Sequence, residues 1–134
     1  MSAKHPGIRT RHVALNVSDL DVSEGFYQEV LGLRVEHESL HRPLRDASMG
    51  RDGEVVLTLW ELARKRTKKR SPGLHHLAFK ANSAEEINRT KEILADLGAR
   101  WSEGNQLYRK GAKSVRIYFK DPRWYSDSVV CGRA

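Results

Sequence analysis

The chain has 134 residues, one cysteine, 39% hydrophobic residues and a formal net charge of +7. Its length and apolar content suit one folded domain with a buried core, which excludes an intrinsically disordered protein. The single cysteine excludes an internal disulfide, the absence of a long apolar run excludes a membrane span, and no signal peptide is recognised, so we expect a cytoplasmic protein.

The first half of the sequence predicts a strand, a helix and three further strands. Strand 10–17 alternates, so that His12 lies on the face opposite its apolar residues Val13, Leu15 and Val17. A helix over 20–31 follows, with Ser18 or Asp19 as its N-cap and Gly32 at its end. The apolar face of this helix is predicted to be Val22, Phe26 and Val30, with Tyr27 and Leu31 beside it. Strands are then predicted over 33–38, around 45–49 and over 54–62.

The positive charge is concentrated between the two halves of the chain. Residues 64–70 carry six lysines and arginines, and the rest of the chain is close to neutral. Such a run between strands is most often a solvated loop, although it can attract an anionic substrate or touch nucleic acid. No aromatic residue is interleaved with it, as single-strand binding requires, so we do not expect a nucleic-acid partner.

The second half repeats the pattern of the first. A strand over 74–81 precedes a helix that runs to about residue 97 and begins with a capping box of Ser83 and Glu86. The buried face of this helix is predicted to be Ile87, Leu94 and Leu97 or a set close to it. Further strands are predicted over 100–103, 106–109, 115–120 and 126–131, with a turn at Asp121-Pro122.

Each half opens with a histidine on its first strand, in His12-Val13-Ala14-Leu15 and in His76-Leu77-Ala78-Phe79. If helices cover the apolar faces of these strands, His12 and His76 lie on the opposite, open faces, whereas His75 points toward the helices. A single strand histidine is more often a core or surface residue. Two at equivalent positions favour metal ligands, because neutral imidazole is a common ligand of zinc, iron and manganese.

These motifs resemble the vicinal oxygen chelate superfamily, which includes glyoxalase I, extradiol dioxygenases, fosfomycin-resistance transferases and bleomycin-resistance proteins. The resemblance covers nearly the whole chain and rests on residues 11–20, 25–33, 73–79 and 118–122. It implies an α+β fold of two paired βαβββ modules, about 8–62 and 73–131, joined by the basic loop 63–72. Together the modules would form an eight-stranded, cup-like mixed sheet with the helices on its outer face.

The resemblance also implies a divalent metal, namely Fe, Mn, Zn or Ni, held by two histidines and a carboxylate. His12 and His76 match the histidine positions, and the double histidine is similar to that of extradiol dioxygenases, in which the second is the ligand. The carboxylate of the family stands seven residues after the aspartate of the Asp-Pro turn, and Ser128, a weaker ligand, occupies that position here. Three alternatives remain: Asp127, if a bulge shifts the register; Glu61, from the first half; or no metal.

Two further residues are candidates for catalysis. Tyr118 matches a substrate-binding tyrosine of extradiol enzymes, and its alternative is an ordinary residue of an amphipathic strand. Glu61 would suit proton transfer next to a carbonyl group. The residue Arg116 shares the predicted face of Tyr118, although a solvent-facing arginine is the simpler interpretation.

The resulting hypothesis is a metal-dependent dioxygenase, lyase or isomerase that acts on a small oxygenated substrate, such as a catechol, a 2-oxo compound or an anion. The alternative is a non-catalytic protein that binds a small molecule, as bleomycin-resistance proteins do. The basic charge disfavours bleomycin itself, which is cationic. We also expect a homodimer, because relatives of this size commonly pair and pairing covers exposed edge strands.

Overall fold

A computed structural model describes residues 7–41, 44–62, 76–103, 114–122 and 128–133. Within these residues each half of the chain follows the order strand, helix and three strands. The first half contains β1 (Val13–Asn16), α1 (Leu20–Leu31), β2 (Arg34–Ser39), β3 (Asp46–Arg51) and β4 (Glu54–Trp60). The second half contains β5 (Leu77–Lys80), α2 (Ala84–Asp96), β6 (Trp101–Glu103), β7 (Ser114–Phe119) and β8 (Ser128–Arg133).

The strands form two four-stranded sheets of equivalent topology. The order is β1-β4-β3-β2 in the first sheet and β5-β8-β7-β6 in the second sheet. One parallel pair in each sheet, β1 with β4 and β5 with β8, makes the sheets mixed. The predicted α+β fold with mixed sheets and two helices is confirmed. Strand pairing between the two sheets is not seen among the described residues, so the single eight-stranded cup and the module boundaries stay predictions.

Helix α1 begins and ends as predicted, but its buried face is rotated. The Asp19 side chain accepts a hydrogen bond from the Val22 amide at 3.2 Å, and Gly32 closes the helix with a left-handed φ of 64°. Val22 was predicted to be buried, yet it is 53% exposed. The residues that do face the core follow a helical stripe, Leu20, Ser23, Phe26, Tyr27 and Val30.

Helix α2 begins with the predicted capping box in a slightly different form. Ser83 accepts a hydrogen bond from the Glu86 amide, while the Glu86 carboxylate accepts one from the Asn82 amide rather than from that of Ser83. Leu97 was predicted to be buried but is 48% exposed, because it follows the last helical residue at the turn. The core-facing residues are Ile87, Thr90 and Leu94. Within the described segments, neither helix is long and apolar enough to cross a membrane.

The two halves share one hydrophobic core between the helices and the apolar faces of the sheets. Phe26 of α1 lies against Phe119 of β7, with ring centroids 6.0 Å apart, and so joins the halves. The predicted strand near residues 45–49 is β3, whereas the one over 106–109 lies outside the described residues. Because the core uses only one face of each sheet, the other faces are left open.

Candidate functional site

His12 was predicted to lie on the first strand, but β1 begins at Val13, so His12 immediately precedes the open face of the first sheet. Leu15 and Val17 are buried, whereas His12, Ala14 and Asn16 are exposed, as the alternation of the sequence predicts. Residues that pair across strands share a face of the sheet, so the register extends this face over β4, β3 and β2. We call its members the first open face: His12, Ala14, Asn16, His37, Ser39, Asp46, Ser48, Thr58 and Trp60.

His76 likewise immediately precedes β5, which begins at Leu77, and so adjoins the open face of the second sheet. His76, Ala78 and Lys80 are exposed, whereas Leu77 and Phe79 are half-buried against the core. On β7 the buried Ile117 and Phe119 alternate with Arg116 and Tyr118, which are half-buried and lie on the opposite face. We call the following residues the second open face: His76, Ala78, Lys80, Ser102, Arg116 and Tyr118.

The two predicted histidine ligands are therefore exposed on equivalent faces of equivalent sheets. Among the described residues, however, no group of three or more histidine, cysteine, aspartate or glutamate side chains lies close enough to hold a metal ion. A third donor would have to come from a residue outside that set or from a second copy of the chain.

The pairing of β8 with its two neighbouring strands shows which residues lie opposite Ser128. Ser128 pairs with Leu77 of β5 and with Phe119 of β7, and both of these residues contact the core. The register partner of Ser128 on β5 is therefore Leu77. Asp127 lies outside the described residues, so its role as the carboxylate stays a prediction.

Glu61 was considered as a metal ligand, but its carboxylate binds protein groups instead. Its carboxylate accepts hydrogen bonds from the Leu20 amide at 2.8 Å and from Arg45 Nη1 at 3.2 Å. A carboxylate at the first turn of α1 accepts a hydrogen bond from an amide that has no partner within the helix. Its negative charge also interacts favourably with the positive end of the helix dipole. The alternation of β4 explains this position, because Leu57 and Leu59 are buried under the helices. Glu61 is therefore not brought together with His12.

An acidic group beside α1 was not recognised in the sequence. Burial and a hydrogen bond with Glu38 raise the pKa of Glu24 from its ordinary value of 4.5 to about 7. Repulsion from Glu38 and Asp21 acts in the same direction, and Arg45 opposes it. Glu38 pairs with the buried Ala47, which places it on the helix side of the first sheet. This group therefore lies on the opposite side of the sheet from His12.

A buried hydrogen bond ties the two halves together near the Asp-Pro turn. The Tyr27 hydroxyl donates to Asp121 Oδ2 at 2.5 Å, and the side chains are 0% and 4% exposed. These residues stand 94 positions apart, so only the folded chain brings them together. The contact holds the end of β7, from which the chain continues toward Asp127. The sequence motif Gly25-Phe26-Tyr27 includes Tyr27, but it does not predict that Asp121 is the hydrogen-bond partner of Tyr27.

Two cavities formed by described residues lie away from the histidines. A groove of about 690 Å³ runs between the end of α1, the β3–β4 turn and the start of α2, and Ala78 and Lys80 lie on its wall. A smaller cavity of about 240 Å³ lies beside Phe26 and Asp121. Neither is lined by His12 or His76.

Comparisons with known proteins agree with the fold and the motifs. The family model of the glyoxalase/bleomycin resistance protein/dioxygenase superfamily matches residues 9–124. A domain of that superfamily from Frankia sp. EAN1pec is 21% identical with a TM-score of 0.79, and the match covers 95% of this chain and 93% of that one.

Two solved structures with assigned names are similar as well. The fosfomycin resistance protein FosX from Listeria monocytogenes, in complex with Mn(II) and a sulfate ion, is 19% identical with a TM-score of 0.68, covering 97% of this chain and 94% of that one. Lactoylglutathione lyase from Agrobacterium tumefaciens is 24% identical with a TM-score of 0.63, covering 96% of both chains. A search of curated protein sequences finds no significant match. The chain belongs to the glyoxalase/bleomycin resistance protein/dioxygenase superfamily.

Proposed function

We propose that this protein is a divalent-metal-dependent enzyme acting on a small oxygenated substrate, with His12, His76 and Asp127 as metal ligands. The observation that carries the proposal is the equivalent, exposed placement of His12 and His76 on the two open faces. The FosX structure contains Mn(II), which supports a divalent metal in a protein of this fold. A metal with free coordination positions would bind neighbouring substrate oxygens and stabilise negative charge on them.

The donor set fits such a metal. Two imidazoles and one carboxylate form a nitrogen and oxygen ligand set that suits Mn, Fe(II), Zn or Ni. Ser128 would supply only a neutral hydroxyl, and its register partner is Leu77 rather than His76. Asp127 is the better candidate, since it provides the negative charge that a divalent ion requires.

The protein's own residues would position the substrate around these ligands. Tyr118 on the second open face can donate a hydrogen bond to a substrate oxygen. The cations Lys80 and Arg116 lie on the same face and suit an anionic group. The metal and the substrate determine whether the reaction is ring cleavage or proton transfer.

We also propose that the protein is a homodimer whose sites combine the first open face of one copy with the second open face of the other. Each face carries one exposed histidine, and β1 and β5 are edge strands of their sheets. Edge strands next to uncovered polar faces are typical places of subunit contact. A site shared between two chains is consistent with the lack of a three-donor group among the described residues of one chain.

Metal binding tests the proposal directly. The untagged protein, loaded in turn with Mn²⁺, Fe²⁺ under anaerobic conditions, Zn²⁺ and Ni²⁺, is expected to bind one ion per chain by elemental analysis and calorimetry. His12→Ala or His76→Ala should weaken binding by about 100-fold or more. His41→Ala is the matched control, because His41 is an exposed histidine outside both open faces. Stoichiometric metal in the His12→Ala, His76→Ala double variant would refute these ligands.

Mixing the two single variants tests the shared site. If each site takes His12 from one chain and His76 from the other, a heterodimer of His12→Ala with His76→Ala regains one intact site. If each site lies within one chain, the heterodimer has none. Refolding the variants together and measuring bound metal therefore separates the arrangements, and a monomer by light scattering would contradict both versions of the dimer.

Activity assays distinguish the proposed enzyme from the alternative hypothesis, a non-catalytic binding protein of the same fold. The Fe²⁺ form is given a catechol and oxygen, and the yellow ring-cleavage product is followed by absorbance. The Mn²⁺, Zn²⁺ and Ni²⁺ forms are given the hemithioacetal of methylglyoxal and glutathione. Tight ligand binding without turnover in both assays would favour the binding protein.

A further inference from the structure

Residues 7–12 form an exposed segment in front of β1, and we call this segment the arm. All six of its residues are exposed, and Ile8 is 85% exposed. No other large hydrophobic side chain in the described part of the chain is as exposed as Ile8. Because removal of an isoleucine side chain from water is favourable, the arm is stabilised wherever Ile8 meets an apolar surface.

The groove of about 690 Å³ between the two halves has such a surface on its floor. Leu31 at the end of α1, Phe79 of β5 and Ile93 of α2 line the groove, and all three are half-buried. Val56, which is 36% exposed, adds a further apolar side chain. No residue of the same chain's arm is among the described residues that line the groove. Its floor therefore offers apolar contacts that a side chain from elsewhere can use.

One wall of this groove is acidic. The wall that the first half contributes has three carboxylates and one guanidinium, those of Glu29, Asp52, Glu54 and Arg51. The opposite wall has both signs of charge, in Lys80, Glu86 and Arg89. The arm carries two arginines, Arg9 and Arg11, and no acidic residue. The acidic wall is therefore complementary in charge to the arm.

The proposed shared site brings the arm of one copy to the groove of another. In that dimer His12 of one copy lies close to the partner's His76, which immediately precedes β5. Lys80, at the end of β5, stands four residues after His76, and Ile8 stands four residues before His12. At about 3.3 Å per residue, each of these spans is about 13 Å. An arm that runs antiparallel along the partner's β5 therefore places Ile8 beside Lys80, which lines the groove.

The edge of β5 gives the arm backbone partners along this path. Among the described strands, β5 pairs only with β8. The free edge of such a strand presents N–H and C=O groups, to which an extended segment can add as a further strand. Alternation along an extended segment directs Ile8 to one side and Arg9 and Arg11 to the other, so apolar packing and ion pairing use different side chains.

We infer that the arm of one copy docks along β5 and into the groove of a second copy of this chain, with Ile8 on the apolar floor and the arginines near the acidic wall. The inference rests on the proposed function, because it starts from the shared site of the homodimer. It gives the groove, which neither His12 nor His76 lines, an occupant from another copy.

Photo-crosslinking identifies the neighbour of Ile8. The full chain is made with p-benzoylphenylalanine in place of Ile8, refolded together with an excess of ¹⁵N-labelled native protein, and irradiated. We expect crosslinks from the unlabelled arm to labelled peptides of β5, α2 or the end of α1. The matched control has p-benzoylphenylalanine in place of Val22, which is 53% exposed but does not line the groove. The control should not crosslink to these peptides.

Dimer affinity measures what Ile8 contributes. Ile8→Asp should weaken self-association about tenfold or more in sedimentation equilibrium, because a carboxylate on an apolar floor is unfavourable. Val22→Asp is the matched control and should stay within about twofold of the native protein. Both side chains are exposed in one copy, so neither change disturbs the fold of that copy.

Charge reversal tests the acidic wall. Arg9→Glu combined with Arg11→Glu should weaken self-association about fivefold or more at low salt. The further changes Glu29→Lys and Glu54→Lys, at two exposed positions of the wall, should restore most of the lost affinity. Failure of the wall changes to restore association would overturn the docking.

Other outcomes separate this inference from the proposed function. Crosslinks confined to one chain or directed to other surfaces, or equal association of Ile8→Asp and Val22→Asp, would overturn the docking and leave the dimer in place. A native protein that stays monomeric at about 100 µM would overturn the docking together with the dimer. His12→Ala should keep the crosslink, so a failure of the metal ligands alone does not affect the result.

Discussion

The hydrogen bond between Tyr27 and Asp121 provides a stability prediction that can be worked from the structure. Tyr27→Phe removes the hydroxyl and leaves the ring in place. The Asp121 carboxylate is 4% exposed, so solvent has little access to replace the missing donor at 2.5 Å. A hydrogen bond to a charged group contributes about 1.5–3 kcal/mol, and we therefore expect a loss of about 2 kcal/mol in the free energy of unfolding.

That loss translates into a measurable shift of the melting temperature. Unfolding entropy is about 2.1 cal/mol/K per residue, which for a chain of this length makes 2 kcal/mol equivalent to about 7 °C. Urea unfolding monitored by circular dichroism gives the free energy, and differential scanning calorimetry gives the temperature. Asp121→Asn, alone and combined with Tyr27→Phe, completes a double-mutant cycle, in which we expect a coupling of about 1.5 kcal/mol or more.

The matched control is Tyr118→Phe, which removes the same atom from a half-buried tyrosine on the second open face. Water can solvate the partners of an accessible hydroxyl, so the control should change the free energy of unfolding by less than about 0.5 kcal/mol. If Tyr27→Phe and Tyr118→Phe had the same small effect, the reasoning about the buried pair would be refuted.

Two glycine substitutions and one pH profile give further predictions. In Gly50→Ala the new Cβ would meet the Glu54 carbonyl oxygen at 2.0 Å, so we expect a loss of about 3 kcal/mol or more in urea unfolding. In Gly25→Ala, inside α1, the Cβ has nothing within 4 Å, so we expect a gain of about 1 kcal/mol, and a loss in both variants would contradict the argument. The pKa of Glu24 is raised to about 7 beside Glu38, so Glu24 keeps its proton to higher pH in the native state than in the unfolded state. The contribution of Glu24 to the free energy of unfolding therefore falls as the pH rises from about 4.5 to 7. Glu24→Gln should therefore stabilise the protein at pH 8 by about 1 kcal/mol after allowance for solvent screening, but not at pH 5, and an unchanged difference across that range would disprove it.

Local patterns in the sequence were sufficient for much of the fold. Alternation of side chains along a strand has a period of two residues, and it placed His12 and His76 opposite the buried Leu15 and the half-buried Phe79. The ends of the helices were also predictable, because a cap such as Asp19 acts on an amide only three residues away. These features depend on neighbours in sequence, and they include the faces on which the candidate ligands lie.

Contacts between segments that are distant in sequence could not be predicted from such patterns. Glu61 bonds to an amide 41 residues away, and Tyr27 bonds to an aspartate 94 residues away. The rotation that exposes Val22 depends on how α1 meets the core of both halves. No local period encodes these pairings, because they arise only when the elements pack together.

The candidate metal site shows this division most clearly. The sequence by itself determined the two histidines, their faces and the absence of the family's carboxylate at Ser128. Tertiary structure decided the register of β5 against β8, which matches Ser128 with Leu77. A shift of one residue in a strand pair exchanges its two faces, and the pairing of strands about 50 positions apart in the chain is set by core packing and backbone hydrogen bonds across the whole sheet.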